Sequence, residues 1–165
     1  MTQVQNKATE SEEGNFNRSI KNKTLVEFNG QTVTAAEYFP VWINNLADDV
    51  TLEGSLLNGF VEGPEAVRAI VLCIRKIYEH QEFSFAGPFG ENVFFENYTG
   101  WVQGEPVGCL VMIIRNAAGQ AQHIAANYRP LNTVLLLSRL VGEYLGTPYS
   151  GHFANKNLTP SIDNI

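Results

Sequence analysis

Glu53 ends a strand-like run, VTLEG at 50–54, immediately before a loop. A carboxylate at such a point can take or give a proton if it faces a cavity, and is merely solvated if it faces water. Few other residues offer chemistry. His80, His123 and His152 lie far apart, with no HxH or HExxH spacing, so no metal site is expected. Tyr149-Ser150-Gly151 lacks the glycine two residues before the serine that a nucleophile elbow requires, which makes Ser150 a turn residue. With neither GxGxxG nor a Walker loop in the chain, no nucleotide cradle is expected, and no cofactor. Cys73 and Cys109 sit singly within apolar segments, as buried thiols that act as small hydrophobes do. No catalytic residue can be assigned from residue type and spacing, and whether the chain is an enzyme stays open.

The elements that would position these groups are legible in outline. Asn29-Gly30 between two short alternating runs predicts a hairpin near 24–33. Thr34-Ala35-Ala36-Glu37 has capping-box spacing, predicting a helix that carries Tyr38, Val41, Trp42, Asn45 and Leu46 on one face, with Pro40 as a kink or a later start. A strand follows over 50–55. Gly63-Pro64-Glu65 then predicts a helix start, and Val67, Ile70, Val71, Ile74, Ile77 and Tyr78 form an apolar stripe to about His80. From Glu82 to Tyr128, β-type runs are broken by turn signals at 87–90, 103–106 and 117–120, predicting three or four antiparallel strands. The run CLVMIIR at 109–115 is apolar at both parities, so both of its faces need cover. Arg129-Pro130 ends the last strand, and LNTVLLLSRLVGEYLG reads as a closing amphipathic helix. The pattern is α+β, with helices packed on one face of a curved sheet.

A chain of 165 residues fits one domain with a sizeable core. Residues 1–23 are polar and predict a flexible arm, 24–146 the domain, and 147–165 a loose C-terminal tail. The formal charge of −6, with its eleven basic residues dispersed, argues against nucleic acid. No apolar stretch is long enough to span a bilayer and the N-terminus has no signal-peptide core, so no membrane partner and a cytoplasmic location are expected.

The order of these signals resembles the nuclear transport factor 2-like superfamily, which includes SnoaL-like polyketide cyclases and ketosteroid isomerases. The resemblance covers about 34–146. It is carried by LADDVTLEG before the Gly63-Pro64 helix start, the Gly104-Glu105-Pro106 turn, the strand ending at Arg115 before Asn116-Ala117-Ala118-Gly119, and the last strand reaching Tyr128-Arg129-Pro130-Leu131. It implies a cone-shaped, strongly curved antiparallel sheet wrapped around helices, an apolar pocket for a small hydrophobic ligand, and a homodimer through the outer sheet face. That partner would supply the missing cover for CLVMIIR.

The resemblance also implies where catalytic groups would stand. The isomerase base falls at Gly54, so that strand alternation turns Glu53 away from the pocket. The isomerases' second acid falls near Val111, and the cyclases' His and Asp fall at Ile124 and Ala126. None of these four residues can transfer a proton. On the last strand, parity places Gln122, Ile124, Ala126 and Tyr128 inward and His123, Ala125 and Asn127 outward. The expected pocket is lined by Tyr38, Trp42, Leu52, Gly54, Val111, Ile124, Ala126 and Tyr128, and serves binding without the usual acid–base chemistry. The alternatives are a cyclase-, isomerase- or hydrolase-type enzyme that uses another residue set, and a dimerising protein-interaction module.

Overall fold

The structure is a computed structural model that describes residues 40–154 and the backbone of 25–28 and 31–34. The expected arm at 1–23, the capping box at 34–37 with Tyr38, and the last eleven residues of the tail lie outside the described side chains. Strands β1 (Leu25–Phe28) and β2 (Gln31–Thr34) pair antiparallel, with Phe28 opposite Gln31, as the Asn29-Gly30 signal predicts.

The predicted helix does not continue through its second half. Val41–Asn44 forms a single 3-10 turn, and strand β3 (Leu46–Gly54) begins four residues earlier than expected. The sheet captures the chain here: Ala121 donates its N–H to the Asn45 carbonyl at 2.8 Å, and Leu46 pairs with Ala121. Pro40 starts the turn without a backbone donor of its own. A short strand β4 (Phe60–Glu62) then pairs back on β3.

Helix α1 (Pro64–Ile77) has Pro64 in its first turn, Glu65 beside it, and Arg75 and Lys76 in the last turn, a charge order that suits the helix dipole. It stops before His80 because Tyr78 turns extended, and Glu79 and His80 exchange backbone hydrogen bonds with Trp101. Four long strands follow: β5 (Gln81–Phe89), β6 (Val93–Val102), β7 (Glu105–Arg115) and β8 (Ala121–Arg129). Helix α2 (Leu131–Leu145) closes the domain and packs on α1, β7 and β8.

The main sheet has six strands in the order β4-β3-β8-β7-β6-β5, antiparallel throughout except for the β3–β8 pair. This is the expected α+β class, with a curved, unclosed sheet and both helices on its inner face. Inward residues line up in rows across the strands. One row reads Phe94, Ile113, Ile124, Leu52; the next reads Glu96, Val111, Ala126, Gly54; a third reads Tyr98, Cys109, Tyr128.

Two glycines set close approaches. Gly54 has φ +147°, and a Cβ there would lie 1.9 Å from the Ala126 carbonyl oxygen, so no side chain fits. At Gly100 the ring of Tyr78 occupies the space a Cβ would need, 2.7 Å away.

The segment after α2 is not loose throughout. Phe153 is buried against Gly142, and Ser138 Oγ donates to the Leu56 carbonyl at 2.7 Å while accepting from the Ala154 N–H at 2.9 Å.

Candidate functional site

Between α1 and the concave sheet lies a partly open cavity with room of about 40 Å³ for solvent-sized groups. Its sheet wall is made by the rows: Leu52 and Ile124 from one, Gly54, Ala126, Val111 and Glu96 from the next, Tyr98 and Tyr128 from the third. Ile70, Val71, Ile74 and Arg75 of α1 form the opposite wall. Pro40 and Trp42 contribute from the 3-10 turn, and Leu56 and Leu57 from the loop after β3.

The structure thus brings together Trp42, Leu52, Gly54, Val111, Ile124, Ala126 and Tyr128 along one cavity, while Tyr38 lies outside the described residues. Trp42 does more than cover an opening. It is 6% exposed, and its indole N–H donates to Glu96 Oε1 at 2.9 Å. Gln122 does not point inward. The β8 ladder shifts register between residues 121 and 123, which puts Ala121 in the core and lets Gln122 donate to Asp49 Oδ2 at 3.0 Å on an exposed edge.

Beyond the expected set, the lining includes the buried polar residues Arg75, Gln81, Glu96 and Tyr98. Glu96 is the most consequential, a buried carboxylate in a chain whose four expected proton-transfer positions are Gly, Val, Ile and Ala. The signal for it was present. In VFFENYTGWV strict alternation puts Glu96 on the face of Phe94, Tyr98 and Val102, all buried.

Around Tyr98 and Tyr128 of this wall the buried polar groups form a protonated cluster. The Tyr78 and Tyr98 hydroxyls are 3.3 Å apart, and Cys109 hydrogen bonds to both Tyr98 and Tyr128. Burial pushes all three phenols well above their ordinary range. It pushes the Cys109 thiol up to about 12, against the opposing pull of its tyrosine bonds, and Cys73 up to about 11. At neutral pH these groups are donors, not bases, and neither thiol is a nucleophile.

Glu53 also borders the cavity, but its side chain is half exposed and its carboxylate lies 3.3 Å from His123 Nε2, while His123 Nδ1 is 2.7 Å from the Thr51 hydroxyl. No group of three or more possible metal ligands occurs among the described residues, and no helix among them is long and apolar enough to cross a membrane.

No protein-family model and no curated protein sequence matches the chain. Solved structures do match in shape. An uncharacterised bacterial protein with a cystatin-like fold from Silicibacter pomeroyi is similar at TM-score 0.60 and 16% identity, over 67% of this chain and 77% of that one. A steroid delta-isomerase from Pseudomonas aeruginosa is similar at TM-score 0.58 and 14% identity, over 64% of this chain and 78% of that one. A SnoaL-like protein of unknown function from Burkholderia thailandensis aligns at TM-score 0.42 and 18% identity, over 53% and 78%. The fold is shared with these structures, the first of which is described as cystatin-like. At these identities the likeness is one of fold, and what the site does rests on its own residues.

Proposed function

We propose that this domain binds a small hydrophobic molecule in the cavity between α1 and the sheet. The observation that carries the reading is the lining itself: apolar side chains from α1 and three strands face one concave space, with a few polar groups set among them. A protein-interaction module with a filled core would not need that space. The test is titration of the purified protein with N-phenyl-1-naphthylamine, an apolar fluorophore. Saturable enhancement at one site per chain, abolished by the cavity-filling Val71→Trp, is the expected result. Unsaturable enhancement that Val71→Trp leaves unchanged would overturn the reading.

The reading includes a homodimer through the outer sheet face. Outward residues of β7 are apolar, with Leu110 40% exposed beside half-buried Met112 and Ile114, and Phe85 on β5 is exposed as well. Light scattering at micromolar concentration should give twice the chain mass; a monomer refutes it. Two buried cysteines outside any disulfide suit a reducing compartment, and the reading places the protein in the cytoplasm.

A second reading, an enzyme of the isomerase, cyclase or hydrolase kind, has one observation in its favour. Glu96 occupies the same row as Gly54, Val111 and Ala126, so a titratable carboxylate stands one strand along from the positions the resemblance implied. Under that reading, Glu96→Gln lowers turnover of a substrate found by ligand capture by roughly 100-fold or more while leaving binding in place.

A further inference from the structure

On the outward side of β3 and β8, three side chains stand in a line of donors and acceptors. Val50 and Leu52 are buried, so Thr51 and Glu53, which alternate with them, share the opposite face of β3. The parallel pairing sets His123 of β8 directly beside Thr51. Its Nδ1 lies 2.7 Å from the Thr51 hydroxyl and its Nε2 3.3 Å from Glu53 Oε1. In the tautomer protonated at Nε2, the imidazole donates to Glu53 and accepts from the Thr51 hydroxyl. A hydroxyl within hydrogen-bond reach of a base that a third group orients is the arrangement that activates an oxygen nucleophile, whatever the fold. The cluster is reachable, with the His123 side chain 35% exposed and that of Glu53 53%. The ladder beside it is irregular: residues 47–50 intervene on β3 where Gln122 alone intervenes on β8, and bulges of this kind re-aim the side chains next to them.

We propose that Thr51 is an acyl-acceptor site that takes the acyl group of an uncharged, activated ester or thioester. Thr51 Oγ forms a bond to the acyl carbonyl carbon as His123 Nδ1 takes the hydroxyl proton. The bond from that carbon to the leaving oxygen or sulfur then breaks, His123 passes the proton to the leaving group, and an ester on Thr51 remains. Glu53 is a positioning residue, which holds the imidazole in the tautomer that accepts from Thr51. Solvent reaches this face and hydrates the oxyanion, so reaction is confined to donors with a good leaving group. The neighbours select among those. Glu62 stands across from Thr51 and adds a second carboxylate to that of Glu53, which disfavours an anionic donor. Phe60, 58% exposed across from Glu53, offers an apolar shelf on the same face. The proposal does not depend on what the cavity binds.

The test is incubation of the unaltered protein with p-nitrophenyl acetate at neutral pH, followed by digestion and location of acetyl groups by peptide mass spectrometry. Thr51 should be acetylated on the order of 100-fold faster in the folded protein than in the same chain unfolded in urea, as general-base assistance supplies. His123→Ala should bring the folded rate down to the unfolded one. Glu53→Gln, which can still accept from the imidazole N–H, should keep more of the rate than Glu53→Ala, a difference that loss of a mere surface contact would not produce. Thr51 left unacetylated while exposed lysines are modified, or acetylated equally fast in folded and unfolded protein, overturns the proposal, as does a rate that His123→Ala leaves unchanged. The comparison of folded with unfolded protein uses the unaltered chain, so a variant that fails to fold does not spoil it.

Discussion

The row that crosses the concave sheet has two unlike ends. At β3 it ends in Gly54, where the backbone of β8 leaves no room for a Cβ. Toward the other edge it carries Glu96 on β6, a full side chain at the cavity held by Trp42, before closing with Ala86 on β5. Between them Ala126 and Val111 are small and apolar. The same row of a curved sheet can thus be closed to side chains at one end and chemically equipped at the other. What differs is how near the neighbouring backbone comes.

The comparison can be broken most strongly at its closed end. Gly54→Ala should cost at least about 3 kcal/mol, since both the positive φ and the carbonyl of Ala126 oppose a side chain, and urea denaturation would measure it. At the equipped end, Trp42→Phe keeps an aromatic ring but withdraws the donor from a buried carboxylate oxygen. A loss of about 1–3 kcal/mol is expected, read by the same denaturation, and a neutral result would show that the indole N–H does not matter to Glu96.

Alkaline titration sharpens the contrast between this interior and the solvent. The folded state holds protons on Cys109 and Cys73 that the unfolded chain releases from about pH 9, because their folded values lie near 12 and 11. Both acids are neutral in either state below that range, so the sign is fixed: stability is fully present below pH 9 and falls as pH rises toward 11–12. The slope is up to about 1.4 kcal/mol per pH unit for each group. Chemical denaturation at pH 8, 9.5 and 10.5 would show a descending midpoint; a flat profile would contradict the burial of the thiols.

The smallest effect belongs to the outer face. His123→Ala removes contacts to Thr51 and to Glu53, which is half exposed, and should shift monomer stability by no more than about 0.5–1 kcal/mol. A larger loss that grows with protein concentration would instead place His123 in a subunit interface.

Much of this was legible because hydrophobic period, glycine and proline carry local signals. Pro64 after Gly63 marked α1, alternation marked β6 and β7, and Arg129-Pro130 marked the step into α2. The parts that escaped depend on distant partners. Residues 41–46 have helical spacing, yet Ala121, remote in sequence, claims that backbone for the sheet. Three residues, Phe60–Glu62, are too few to show a period. Gln122 was misplaced because a register shift breaks the alternation on which parity depends. Glu96 is a different kind of miss. Its parity was readable, but a carboxylate between a phenylalanine and a tyrosine becomes a candidate only once α1 is seen to leave space above it.

Ser138 gives the chain a minimum length. Its hydroxyl joins the loop after β3 to the backbone at Ala154, so the side of the cavity formed by Leu56 and Leu57 is braced by residues that follow α2. A protein shortened at Gly146 would keep every long strand and both helices, yet lose Phe153 from the core and the strut behind that wall. Truncation trials should therefore find that ends before Ala154 lower the denaturation midpoint before the secondary structure is lost.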